Sequence, residues 1–265
     1  MDLKLKGKRA LVTGSSSGLG EAIVSFLATE GASVIVHGRN EKRSTAIAES
    51  IRETGGSAEY VIGDLSTDEG ADTVAEAALA GGQIDILVNN MGIYNPQPWM
   101  NATVHNWKDT YNNNVLSYVR MIHRLVPQMK GLGWGRIIQI GSSVAIQPMS
   151  VQPDYSASTA ARHNLTVSLA RELKGTGITS NTVSPGAMLV ETTKNMLLGM
   201  AEKFGWGQDW ADIEKNAIAQ LASNDIGRLG RPEEIASAVA YLASPLADYI
   251  SGTVVRVDGG LVQSI

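Results

Sequence analysis

The segment Thr13-Gly14-Ser15-Ser16-Ser17-Gly18-Leu19-Gly20 follows a short apolar run, Ala10-Leu11-Val12-Thr13, and leads straight into a helical pattern. Glycines permit a tight turn and a close backbone approach, and a helix that begins at once turns its unpaired N–H groups and positive end toward whatever the turn holds. Strand, glycine-rich turn and helix in this order open a parallel sheet and mark a pyrophosphate site. A turn that merely joins two elements would explain the loop alone, but not the order of elements that follows it.

That order is regular. Short β-branched runs, Ala10–Thr13, Ser33–His37, Tyr60–Ile62, Ile84–Val88, Arg136–Ile140, Ile178–Val183 and Thr253–Val257, alternate with longer segments. Glu21–Glu30, Lys42–Thr54 and Thr67–Leu79 carry apolar residues at helical spacing, and Gly31, Gly55 and Gly81 stand where helices stop. Continuous apolar strands separated by helices predict an α/β fold of Rossmann type, a doubly wound parallel sheet covered on both faces. The 265 residues are read as one domain, 1–265. One stretch is out of rhythm: residues 191–231 form a polar and aromatic insertion before Pro232 restarts a helix, a candidate substrate lid. Its Met196, Leu197, Leu198, Met200, Phe204, Trp206 and Trp210 would close an apolar lid over a bound ligand or pack a subunit interface.

Composition removes several classes of function. A net charge of −4 lacks the concentrated cation that a nucleic-acid partner needs. Absence of cysteine excludes disulfides, thiolate metal sites and cysteine nucleophiles. The N-terminal Met1-Asp2-Leu3-Lys4-Leu5-Lys6-Gly7-Lys8 lacks the apolar block of a signal peptide, and no run is long enough to span a bilayer, so a cytoplasmic protein without a membrane partner is expected. His37, His105, His123 and His163 show no metal-binding spacing, and Ser142 is not in a Gly-x-Ser-x-Gly elbow, so neither a metal site nor a serine hydrolase is expected.

The loop spacing Gly-x-x-x-Gly-x-Gly, followed in order by Asp64-Leu65, Asn89-Asn90-Met91-Gly92, Asn114, Ser142, Tyr155, Pro185-Gly186 and Val257-Asp258-Gly259-Gly260, resembles the short-chain dehydrogenase/reductase family over nearly the whole chain. The resemblance implies a nicotinamide cofactor and a carbonyl or alcohol substrate. Gly14, Ser16, Ser17, Gly18, Leu19 and Gly20 would cradle the diphosphate, Asp64 would accept the adenine amine, and Leu65 would pack beside it through its backbone. Asn90 and Gly92 would line the ribose and nicotinamide side, and the backbone after Pro185-Gly186 would hold the carboxamide. Met91 stands where the family usually has alanine. The family is often tetrameric, which implies a homotetramer.

The second strand ends in Val36-His37-Gly38-Arg39-Asn40, with Gly38 where an acid would bind a ribose 2′-OH. Arg39, with Lys42 or Arg43 behind it, suits a 2′-phosphate instead, so NADP(H) is favoured and NAD(H) is the alternative. The competing reading takes these charges as a solvated helix start.

Hydride transfer to a carbonyl leaves an oxyanion to be held and protonated, which requires two hydroxyl donors. The resemblance assigns these roles to Ser142 and Tyr155, which are thirteen residues apart in the sequence, and gives Asn114, on a long helix, a proton-relay water. Tyr155 also belongs with the cofactor contacts. Tyr155 opens the helical stretch Ser156–Lys174, and one turn on, where the family has lysine, this chain has Thr159. In the family that lysine bonds the nicotinamide ribose and its charge acidifies the tyrosine; Thr159 carries no charge. An unassisted phenol is ionised in roughly one molecule in a thousand at neutral pH, and the lost assistance corresponds to about 4 kcal/mol, on the order of a thousandfold in rate. Arg162, two turns from Tyr155, is read as a solvated or interface residue, since it would reach the site only by folding back. The sequence therefore predicts a weakened oxidoreductase or, alternatively, a nucleotide-binding scaffold of the same fold.

Overall fold

The computed structural model describes residues 1–263. Seven strands, β1 (Arg9–Val12), β2 (Ser33–Gly38), β3 (Ser57–Ile62), β4 (Ile86–Asn89), β5 (Gly135–Ile140), β6 (Ile178–Pro185) and β7 (Val254–Val257), form a sheet in the order β3-β2-β1-β4-β5-β6-β7. Every neighbouring pair is parallel. The helices are α1 (Gly18–Thr29), α2 (Glu41–Glu53), α3 (Asp68–Ala80), α4 (Val104–Tyr111), α5 (Ser117–Leu132), α6 (Pro153–Glu172), α7 (Glu191–Phe204), α8 (Trp210–Leu221) and α9 (Pro232–Ala243). This is the doubly wound Rossmann-type domain that the alternating pattern predicts.

Strand periodicity explains the two layers. Ala10, Val12, Val34, Val36, Ile86 and Val88 point to one face and pack with α1 and α9. Leu11, Ile35, Leu87 and Ile137 point to the other and pack with residues of α3 and α5. Successive strand residues alternate sides, so β1 to β6 each feed both cores, and each buried aliphatic side chain contributes about 1.5–3 kcal/mol. From β1 the chain winds outward to β2 and β3, then crosses back to β4 on the other side of β1. The crevice beyond the carboxyl ends of β1 and β4 is the topological switch point, where such sheets bind ligands.

Several boundaries differ from expectation for local reasons. Helix α1 begins at Gly18 rather than Glu21, so the loop's second half is already the first helical turn. Helix α6 begins at Pro153, since proline is tolerated where an N–H would be unpaired anyway, and Tyr155 therefore lies inside the first turn. The expected long helix around Asn114 is interrupted: Asn112–Leu116 is a π-turn between α4 and α5. The insertion at 191–231 holds two helices, α7 and α8, with a small core of its own that includes Leu197, Ala201, Trp206, Ile213 and Ile218.

Candidate active site

A cleft of about 740 Å³ lies at the switch point. Its lining includes Gly14, Ser16, Ser17, Gly18, Leu19 and Gly20 from the first loop, Arg39, Asn90 and Gly92 from the ends of β2 and β4, Ser142 after β5, Tyr155 on α6, and Pro185 and Gly186 at the end of β6. Residues far apart in the chain converge because parallel strands put all their carboxyl ends on one edge.

The glycine-rich loop is held from behind. Gly14 adopts φ +66°, and a Cβ there would lie 2.9 Å from Met91 Cα; a Cβ on Gly20 would lie 2.5 Å from Asn90 Nδ2. Asn90 donates through Nδ2 to the carbonyls of Thr13 and Gly14, at 3.0 Å each, so its amide braces the loop while the residue lines the cleft. Ser17 is the N-cap of α1 with no side-chain capping bond, and the first amides of α1 have no partner one turn back. Met91 packs partly into the core and also lines the cleft.

His37, absent from the sequence-based site, anchors this loop. Its Nδ1 accepts from Gly14 N at 3.0 Å and its Nε2 lies 3.2 Å from Gly63 O. The neutral tautomer protonated at Nε2 satisfies both contacts. Burial, working against the Gly63 contact, pushes His37 down to about 4. The signal in the sequence was a histidine inside an apolar strand, one residue before the acid position.

At that position a Cβ on Gly38 would sit 2.6 Å from Ser16 Oγ and 2.9 Å from Ser44 Oγ, so the strand end has no room for an acidic side chain. Arg39 is largely exposed and lines the cleft with Arg43; its Nη1 lies 3.8 Å from Asp64 Oδ2. Asn40 caps α2 by accepting from Arg43 N, so the helix-start reading holds for the backbone while two cations face the cleft. Burial tends to raise the Asp64 carboxyl, but the Ser66 amide and hydroxyl, with Arg39, hold it below its usual range. Leu65 is buried in the helix-side core, its carbonyl accepting from Arg120 Nη1 at 3.2 Å. Among the described residues, Asp64, Leu65, Asn114 and Thr159 are not part of the cleft lining.

Around Tyr155 the arrangement departs from expectation. Asn114 is fully buried: Nδ2 donates to Ile93 O (2.9 Å) and Ser158 Oγ (3.1 Å), and Oδ1 accepts from Ile93 N (2.8 Å). It thus clamps the loop after β4 to α6. Ser142 starts a 3-10 turn, with Oγ 3.4 Å from Val144 N, and Tyr155 stacks obliquely on Tyr94 at 5.8 Å between centroids. Thr159 is fully buried and donates its hydroxyl back to Ser156 O at 2.9 Å.

Arg162 corrects the sequence reading: it is neither solvated nor at a surface, being only 3 % exposed. Its Nε donates to Asn114 O at 2.6 Å and its Nη1 to Ile140 O at 2.9 Å, while Cζ lies 4.5 Å above the Tyr118 ring. Arg162 and Tyr155 both line the cleft, and the buried Nη2 of Arg162 has no hydrogen-bond partner among the described residues. Burial first, and the Arg162 charge second, push the adjacent His163 down to about 4. Burial pushes Tyr118 up to about 12 despite Arg162.

The insertion also differs in detail. Leu197 and Trp206 are buried in its own core, with Met200 and Trp210 packed against it, while Met196, Leu198 and Phe204 are exposed. From α7 the cleft receives Glu191, Thr192 and Asn195, polar groups instead of an apolar lid surface.

A doubly wound sheet with a glycine-rich loop, a serine and a tyrosine on one cleft defines a dinucleotide-fold protein with hydroxyl groups poised in its site. Residues 8–200 match the short chain dehydrogenase family model, and the chain belongs to that family. It is 38% identical over 272 residues, covering 100% of both chains, to the uncharacterized oxidoreductase YvaG of Bacillus subtilis. It superposes on L-sorbose reductase from Gluconobacter frateurii, solved with NADPH and L-sorbose, with a TM-score of 0.94 and 33% identity over 100% of both chains. A 7 alpha-hydroxysteroid dehydrogenase solved with NADH and 7-oxo glycochenodeoxycholic acid gives a TM-score of 0.87 at 31% identity, covering 99% of this chain and 97% of that one. Among the described residues, no helix is long and apolar enough to cross a membrane.

Proposed function

We propose that the protein is an oxidoreductase that moves a hydride between NADP(H) and a carbonyl or alcohol substrate. The observation that carries this reading is the placement of Ser142 and Tyr155 on the same cleft as the glycine-rich loop. The cradle suits a diphosphate: unpaired first-turn amides of α1 face an edge where Gly14 and Gly20 have no space for side chains. NADP(H) is supported over NAD(H) by the closed Gly38 position and by Arg39 and Arg43, although the solved relatives include an NADH complex.

The bound nicotinamide would supply or accept the hydride. Ser142 holds the carbonyl oxygen with its hydroxyl, Tyr155 gives that oxygen a proton during reduction, and Asn114 fixes the loop carrying Gly92 against α6. The polar Thr192 and Asn195 suit a hydroxylated carbonyl compound, a direction that the likeness to L-sorbose reductase supports.

The test follows NADPH absorbance with a panel of ketones that includes L-sorbose. Turnover is expected, and Tyr155→Phe should lower it by about 10²–10⁴-fold. Failure of the wild-type protein to bind either reduced coenzyme would overturn the proposal. A second reading, a nucleotide-binding protein with impaired chemistry, is favoured by Thr159, whose hydroxyl is committed to Ser156 O in place of the family's lysine. Tight NADPH binding without turnover on any ketone would select it.

A further inference from the structure

We propose that Arg162 supplies the cation that Thr159 lacks: its unpartnered Nη2, buried beside Gly92 at the cleft wall, donates to a hydroxyl of the cofactor's nicotinamide-side ribose once the cofactor is bound, bringing a permanent positive charge to the cleft that Tyr155 lines. The inference rests on the oxidoreductase reading above.

Helix geometry makes this reach ordinary. Residue 162 is seven positions after Tyr155, two turns on, and so shares its face. Helical side chains lean toward the N-terminus, and the rise from position 159 to 162 is about 4.5 Å, within the span of an arginine side chain. A lysine at 159 and an arginine at 162 can therefore deliver a charge to the same level of α6.

Burial makes the placement informative. A guanidinium removed from water is costly unless its N–H groups are paired. Two directions are satisfied, by Asn114 O and Ile140 O, and the Tyr118 face offsets part of the remaining cost. Nη2 is left over, and among the described residues no carboxylate forms an ion pair with Arg162. Nη2 is shielded from solvent beside Gly92, where a Cβ would lie 2.9 Å from it. A hydroxyl-bearing ligand in the cleft would complete the coordination.

The Nε contact changes the proton path as well. Asn114 O, the carbonyl next to the tyrosine helix, accepts directly from Arg162. A guanidinium does not release protons at working pH, so Arg162 supplies charge and a ribose contact but no relay.

The experiment measures NADPH affinity by fluorescence titration, with thermal unfolding as the check on folding, in the wild type, Arg162→Met and Thr159→Lys/Arg162→Met. Arg162→Met should weaken NADPH binding by about tenfold to a hundredfold, the loss expected for one charge-assisted hydrogen bond. The double variant should recover most of that affinity, and turnover with it, because lysine replaces the charge from the neighbouring turn. Unchanged affinity in a folded Arg162→Met would overturn the inference while leaving the oxidoreductase reading intact. So would weakened binding that lysine does not restore, or loss of folding in both variants, since each assigns Arg162 to structure alone. A wild-type protein that binds no reduced coenzyme would instead overturn the underlying reading.

Discussion

His37 ties folding to pH behind the glycine-rich loop. Its folded-state value is depressed to about 4 by burial, below the usual 6.5, so the native protein holds it neutral where the unfolded chain would protonate it. Stability from this residue is fully present above the unfolded value and falls as pH drops from about 6.5 toward 4. At pH 5 its share of the loss is about 2 kcal/mol. Chemical denaturation at pH 7 and pH 5 checks this: His37→Asn should be less stable than wild type at pH 7 but show a smaller drop between the two. At the mouth of the same strand, Arg39→Asp should weaken NADPH binding by about tenfold or more with little loss for NADH, because it removes the proposed 2′-phosphate partner and adds a like charge. Calorimetric titration with both coenzymes measures the ratio.

Elements of this fold were legible where one local signal decided them, and obscure where tertiary contacts did. The Gly14–Gly20 turn announced both β1 and α1, because glycine, strand and helix start coincide there. The interruption at Asn112–Leu116 carried no such mark; three consecutive asparagines on a helical pattern do not reveal a wide turn that places Asn114 O against Arg162. Arg162 was misread for a related reason: charge pattern predicts solvent, and only the packing of α6 against the π-turn, β5 and Tyr118 shows a buried guanidinium. The insertion hid a different fact, that Trp206, between α7 and α8, and Trp210 serve a private core. Trp206 is 1 % exposed and its Nε1 donates to Gln220 at 2.9 Å. Trp206→Ala should cost this unit about 3–5 kcal/mol. Hydrogen exchange should then show protection lost in 191–221 with the sheet unaffected, since that core is separate from the two sheet cores.

Taken whole, the molecule is two halves of a sheet meeting at the β1–β4 crevice, and its cleft draws residues from both. Gly14 to Gly20 and Arg39 come from the first half; Ser142, Tyr155, Arg162 and Gly186 come from the second, and Thr192 from the insertion. A ligand that touches all three favours only the state in which they are assembled, so its binding free energy is added to folding. At a hundred times its Kd, NADPH should stabilise the protein by about 2.7 kcal/mol. For a chain of this size that raises Tm by about 5–10 °C. On the proposed preference for NADP(H), NADH at the same concentration should give a smaller shift. If Arg162 contacts the coenzyme as proposed, Arg162→Met should reduce the NADPH shift, and Thr159→Lys in that background should restore it. Thermal unfolding across a coenzyme titration separates that contact from packing: a difference between variants that grows with NADPH concentration is a ligand contact, and one already present at zero coenzyme and constant thereafter is packing.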